Sequence, residues 1–220
     1  MSERAKVRQH FISSAEAFDS LYCESKMNPL WRLINRRFRH DIYDRFILSM
    51  DHVRKYKLET ALDVGCGSGR YALGLAELGV RRIVGIDFSP RMLELAFKNT
   101  AHIQGANGTF EFVCCDFMEF QTKETFDVVI AMGLFDYIKD PIPFLEKMKT
   151  LCNHSVIASF PSTSIYRTPI RKIRYYFKRC PVYSYDRAKI SSFCSEVGFA
   201  RNELVKIKGS GMDYFVAFFK

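Results

Sequence analysis

From residue 60 onward, short apolar runs alternate with stretches whose apolar positions recur every three or four residues. Ala61–Gly65, Arg82–Asp87, Thr109–Phe117, Phe126–Gly133 and Ser155–Pro161 read as five buried strands. Helical spacing fills Arg70–Leu78, the stretch opened by Ser89-Pro90, and the stretch from Asp140-Pro141 to Leu151. Ser89 suits an N-cap, because its hydroxyl can accept from an orphan backbone N–H, and Pro90 suits the first helical position. Asp186–Glu196 predicts a further helix, stopped by Gly198. LVKIKG (Leu204–Gly209) and YFVAFFK (Tyr214–Lys220) predict an antiparallel pair joined at Gly209-Ser210-Gly211. Strands alternating with helices imply a doubly wound, mostly parallel sheet of seven strands with helices on both faces, and the hairpin adds antiparallel strands at one edge.

Upstream, Asn28–Lys57 reads as one long helix rich in Arg and aromatic residues. Within it Trp31, Ile34, Phe38, Ile42 and Phe46 form a core-facing stripe. Phe11, Ala15, Phe18 and Tyr22 share one face of an earlier helix. The chain therefore divides into a helical cap, 1–57, and a core, 58–220, with an insertion at 162–185 after the fifth strand.

The 220 residues fit one large α/β domain. A hydrophobic share of 48% with 26% charged residues excludes wholesale disorder and collagen-like structure. No apolar run reaches the roughly 18 residues needed to cross a bilayer. The N-terminus lacks the apolar core and cleavage site of a secretory signal. Seven cysteines without CxxC spacing read as reduced thiols, which points to the cytoplasm. The five histidines are scattered, so no metal is expected, and His102 and His154 are placed in exposed loops. The net charge of +9 is uneven: 60–161 carries 9 basic against 12 acidic residues, whereas 162–185 carries six basic residues and no acid.

Candidate chemistry begins at Asp63-Val64-Gly65-Cys66-Gly67-Ser68-Gly69, which closes the first strand and opens a helix. Glycines there allow a tight turn and let a ligand approach the backbone. Asp87 ends the second strand 18 residues after Gly69, near the spacing at which a carboxylate meets ribose hydroxyls. Asp116 is expected to end the third strand in the same way. A dinucleotide loop needs a small residue where Arg70 stands, and no P-loop pattern is present. Cys66 fills a small slot between glycines.

The glycine loop, Asp87, Asp116 and the fourth strand together resemble the class I S-adenosylmethionine-dependent methyltransferases, strongly over about 58–160 and more loosely at the terminal hairpin. The resemblance implies a Rossmann-like fold and S-adenosylmethionine as cofactor. It places Gly65 and Gly67 beneath the methionine moiety, with Asp63 near its ammonium. Asp87 would accept from the ribose hydroxyls and Phe88 would flank the adenine. Asp116 would accept from the adenine amine, with Phe117 a second adenine contact. Met132 and Gly133 would line the methionine side with backbone groups. Met92 fits either helix packing or cofactor contact. The cap resembles that of small-molecule methyltransferases, with Tyr22 facing the cavity.

Methyl transfer from a sulfonium is an in-line displacement that needs alignment and dryness more than proton transfer. Asp136 and Tyr137, just after the fourth strand, are the candidates to orient or deprotonate an acceptor, or else they cap and pack the next helix. The Asn-Pro-Pro-aromatic stretch and the Pro-Cys pair of DNA base methyltransferases are missing, and Cys180-Pro181 runs in reverse order. In the 162–185 insertion Arg167, Arg171 and Arg174 lie among tyrosines. Arginine forks suit a small anionic acceptor. An anionic membrane surface with a lipid-like acceptor and single-stranded RNA are the alternatives. A non-catalytic S-adenosylmethionine-binding role is also compatible with the cofactor residues.

Overall fold

The computed structural model describes residues 40–103, 109–163, 180–207 and 213–220. In chain order its elements are α1 (His40–Tyr56), β1 (Thr60–Val64), α2 (Arg70–Glu77), β2 (Arg82–Asp87), α3 (Pro90–Thr100), β3 (Thr109–Cys114), β4 (Phe126–Ala131), α4 (Ile142–Thr150), β5 (Cys152–Phe160), α5 (Arg187–Val197), β6 (Arg201–Lys206) and β7 (Tyr214–Phe219). The strands form one sheet in the order β3-β2-β1-β4-β5-β7-β6. Pairing is parallel from β3 across to β5. β7 runs antiparallel to both β5 and β6. The expected mostly parallel sheet with a C-terminal hairpin is the one observed.

Alternation of side chains across the sheet separates two cores. One face buries Leu62, Val84, Val129, Val156 and Phe218 against Leu145 and Met148 of α4 and Phe193 of α5. The other buries Ala61, Ile83, Val128, Ile157 and Phe219 against Met50 and Val53 of α1 and Leu75 of α2. All six residues of β7 are buried, whereas β6 alternates and ends the sheet with Arg201, Glu203 and Lys206. A charged, half-wet edge strand resists pairing with another chain.

Local signals explain the helix boundaries. Ser89 Oγ accepts from Met92 N–H at the start of α3, and Asp186 Oδ1 accepts from Lys189 N–H at 2.7 Å at the start of α5. Gly198 ends α5 with φ 75°. β3 stops at Cys114, short of the expected Phe117, because Asp116 turns the chain: its Oδ1 accepts from Met118 N–H at 2.8 Å and its carbonyl from Glu119 N–H at 2.9 Å. β5 begins at Cys152, so His154 is a half-buried strand residue and not a loop residue. The helix around Phe11–Tyr22, residues 28–39 of the long helix and the Gly209–Gly211 turn lie outside the described residues.

Candidate functional site

Register brings four strand ends to one edge of the sheet. Val64 pairs with Ile86, Asp63 with Ile130, and Asp87 with Cys114. Strand order reverses between β1 and β4, and ligands of open α/β sheets bind at that reversal, beyond the carboxyl ends of the strands.

The glycine loop after β1 is strapped to β2. Gly65 and Cys66 N–H both donate to Ile86 O, at 2.8 and 3.0 Å. Asp87 Oδ2 accepts from Gly67 N–H at 3.0 Å, and Oδ1 accepts from Ser89 N–H at 2.8 Å. One carboxylate thus ties the loop to the start of α3, and its remaining lone pairs can serve a ligand. Burial pushes the Asp87 carboxyl up, and these two N–H donors pull it back. Gly69 is required on two counts. Its φ is +79°, which strains any L side chain, and a Cβ there would lie a tight 3.1 Å from Ala96 Cβ, so α2 starts close against α3.

Asp63 is 2% exposed, and its Oδ2 has no hydrogen-bond partner. Burial first, and the Asp87 charge second, push its carboxyl up to about 7. A buried acceptor without a donor is costly, and an approaching cation relieves that cost. Cys66 is buried, and burial holds its thiol well above the usual range, so it acts as packing.

Beyond β3, Asp116 is half-buried at its turn. Phe117 is only 5% exposed, its ring packed against Phe144 at 6.0 Å. The Phe117 side chain thus packs into the core beside this turn. Lys147 of α4 clamps this turn: its Nζ donates to Met118 O at 2.9 Å and Phe120 O at 2.6 Å and lies 5.1 Å from the Phe117 ring centre. Burial lowers the Lys147 pKa. Met92 is 2% exposed, buried on α3.

The wall after β4 starts at Met132, half-buried, and Gly133, whose φ is +77°. Gly133 N–H donates to Ser159 Oγ at 2.8 Å. Leu134 Cδ1 lies 3.4 Å from where a Cβ on Gly65 would stand, so this wall touches the glycine loop. Phe135 stacks on Phe160 with ring centres 4.5 Å apart. Asp136 is 8% exposed, and its carbonyl accepts from Tyr183 N–H at 2.9 Å. Tyr137 is half-buried, its N–H donating to Leu134 O at 3.1 Å.

Asp63, Gly65, Gly67, Asp87 and Phe88 therefore gather on one rim, with Asp116 beside them across β2 and β3. Met132, Gly133, Asp136 and Tyr137 line the side after β4. Tyr22, Arg167, Arg171 and Arg174 lie outside the described residues. Arg45, Ser159, Asp213 and Lys147 were not singled out by sequence. Arg45 carried one readable signal, a charge on the apolar stripe shared by Ile42, Phe46 and Val53 of α1. The partners of Lys147 are set only by tertiary packing.

Residues 61–155 match the family described as methyltransferase domain. A tRNA U34 carboxymethyltransferase of Shewanella sp. (strain ANA-3) is 32% identical over 98 residues, which cover 44% of this chain and 29% of that relative. The chain thus matches less than a third of the length of such relatives. Magnesium protoporphyrin IX methyltransferase from Synechocystis PCC 6803, solved with bound SAH, superposes with TM-score 0.80 at 18% identity, covering 99% of both chains. Burkholderia thailandensis 1,6-didemethyltoxoflavin-N1-methyltransferase, solved with its acceptor and S-adenosylhomocysteine, superposes with TM-score 0.68 at 15% identity, covering 99% of this chain and 88% of that one. These two likenesses concern the fold.

Proposed function

We propose, from the premise that residues 61–155 are a methyltransferase domain of the class I S-adenosylmethionine-dependent family, that this protein transfers a methyl group to a small anionic molecule. The observation that carries the cofactor assignment is Asp63: a buried carboxylate oxygen lacking a donor, beside a glycine loop whose β1–β2 edge already holds Asp87. These groups fit a ligand with an ammonium and a ribose. S-adenosylmethionine, when bound, supplies a methyl group already activated by its positive sulfur.

In this reading Asp63 accepts from the ammonium and Asp87 from the ribose hydroxyls. Phe88 flanks the adenine, Asp116 accepts from its amine, and Phe117 makes a second adenine contact. Met132 and Gly133 border the methionine end with backbone groups. Asp136, or Tyr137, orients the acceptor and receives its proton where the accepting atom carries one. The cap, 1–57, brings Tyr22 over the cavity, and the 162–185 insertion meets the acceptor's negative charge with Arg167, Arg171 and Arg174.

A small acceptor is preferred over RNA because the arginine forks of the short 162–185 insertion suit a compact anion. Among the described residues no helix is long and apolar enough to cross a membrane. Isothermal titration tests the cofactor assignment. S-adenosylmethionine and S-adenosylhomocysteine should bind, and NAD should not. Tight NAD binding without affinity for either sulfur compound would overturn it.

A further inference from the structure

We infer that Arg45 is a positioning residue for the turn after β4, acting through Ser159. The inference rests on the reading of that turn as one wall of the cofactor and acceptor site. Arg45 lies on α1, yet its side chain is 12% exposed, and arginine is seldom buried without a partner. Its Nη1 donates to Ser159 Oγ at 3.1 Å and stands 3.6 Å from Asp213 Oδ2, itself on a side chain only 9% exposed. Ser159 is fully buried at the end of β5. Its Oγ also accepts the Gly133 N–H at 2.8 Å.

A hydroxyl oxygen has two lone pairs and one proton. In Ser159 both lone pairs are engaged, one by a guanidinium and one by Gly133. The charged donor therefore fixes the hydroxyl as an acceptor toward Gly133, and a charge-assisted bond holds that orientation more strongly than a neutral one. Asp213 holds the guanidinium in turn. The consequence falls on Gly133, whose φ of +77° allows the chain to turn from β4 into Leu134. A Cβ on Gly133 would lie 3.7 Å from Arg45 Nη1 and 3.9 Å from Asp136 Oδ2, so guanidinium and carboxylate flank the same glycine. Leu134 touches the glycine loop. Through one serine, α1 and Asp213, the residue before β7, thus set the wall that faces the cofactor loop.

The test compares amide hydrogen exchange at Gly133 with S-adenosylhomocysteine affinity in the wild type, Arg45→Met, Arg45→Lys and Ser159→Ala. Arg45→Met and Ser159→Ala should each speed Gly133 exchange about tenfold or more while the Val129 and Ile130 amides of β4 stay protected. Loss of one hydrogen bond of this kind should weaken S-adenosylhomocysteine binding about three- to tenfold. Arg45→Lys, which keeps a cationic donor, should restore both. Unchanged Gly133 exchange in folded Arg45→Met overturns the inference. So does an equal loss of protection at Gly133, Val129 and Ile130, which marks a merely structural role. If Arg45→Met does not fold, Asp213→Asn removes the charge that holds the guanidinium and carries the same expectation. A wild type that binds no S-adenosylhomocysteine, with the selective Gly133 response intact, upholds the coupling and overturns the cofactor reading instead.

Discussion

Asp63 and Asp87 stand at the ends of adjacent strands and differ in what satisfies them. Asp87 holds two backbone N–H groups, whereas Asp63 Oδ2 holds none. Asp87→Ala should therefore lose ligand bonds and loosen the loop together. Charge-assisted bonds contribute roughly 1.5–3 kcal/mol each, so S-adenosylhomocysteine affinity should fall at least about tenfold by titration. Unchanged affinity in a folded variant would place the ribose elsewhere. Asp63 governs a pH dependence. Its folded pKa, about 7, lies above the ordinary 3.8, so the folded chain keeps a proton that the unfolded chain gives up. The stability this adds is full below pH 3.8 and is lost as pH rises through 7. Asp63→Asn should remove that decline, visible as a smaller drop in Tm between pH 5 and pH 8 than in the wild type. An identical drop in both proteins would mean that Asp63 is already ionised in the folded state. The spacing of Asp63, the glycines and Asp87 was legible because one strand-turn-helix unit carries them. Arg45 and Ser159 are 114 positions apart, and no local pattern announces such a pair.

α1 docks on the sheet through a buried histidine. His52 Nε2 lies 2.7 Å from Ser155 Oγ in β5, and its ring is 5.7 Å from that of Phe219 in β7. Burial first, then the His154 charge, push His52 down to about 4. The unfolded chain takes up this proton near pH 6.5 and the folded chain only near 4, so the docking contribution is present above 6.5 and lost as pH falls through 4. His52→Gln should flatten this part of the acid arm in urea unfolding between pH 7 and 4.5. A slope equal to that of the wild type would contradict the assignment. At the other end of the sheet, Lys147→Met should release the turn that bears Asp116. Two hydrogen bonds from a cation are lost there, so S-adenosylhomocysteine affinity should weaken about tenfold or more. Strand and helix identities were legible from apolar periodicity, Ser89 and Gly198 included. The end of β3 was not, because the Asp116 side chain competes with the ladder for the backbone. The β5-β7-β6 order also lay beyond the pattern, since a hairpin states which strands pair with each other and not which one enters the sheet.

For the whole molecule, the separation of charge meets the acceptor question. The six basic residues of 162–185 follow β5 in the chain. Replacing Arg171 and Arg174 with Gln should lower kcat/KM for the acceptor and leave S-adenosylhomocysteine affinity nearly unchanged, with a smaller difference at high salt where the wild-type field is screened. Pelleting of the wild type but not the double variant with anionic liposomes, with soluble turnover unaffected, would assign the segment to a membrane surface instead. The central claim, methyl transfer to a small anion, is tested most directly by incubating the protein with methyl-labelled S-adenosylmethionine and fractionated cell extract. Label should appear in a small acidic compound, identified by mass spectrometry as one methyl group heavier, and should vanish with Asp87→Ala. Label confined to RNA would contradict the acceptor class, and no transfer to any fraction by a protein that binds the cofactor would contradict the activity itself.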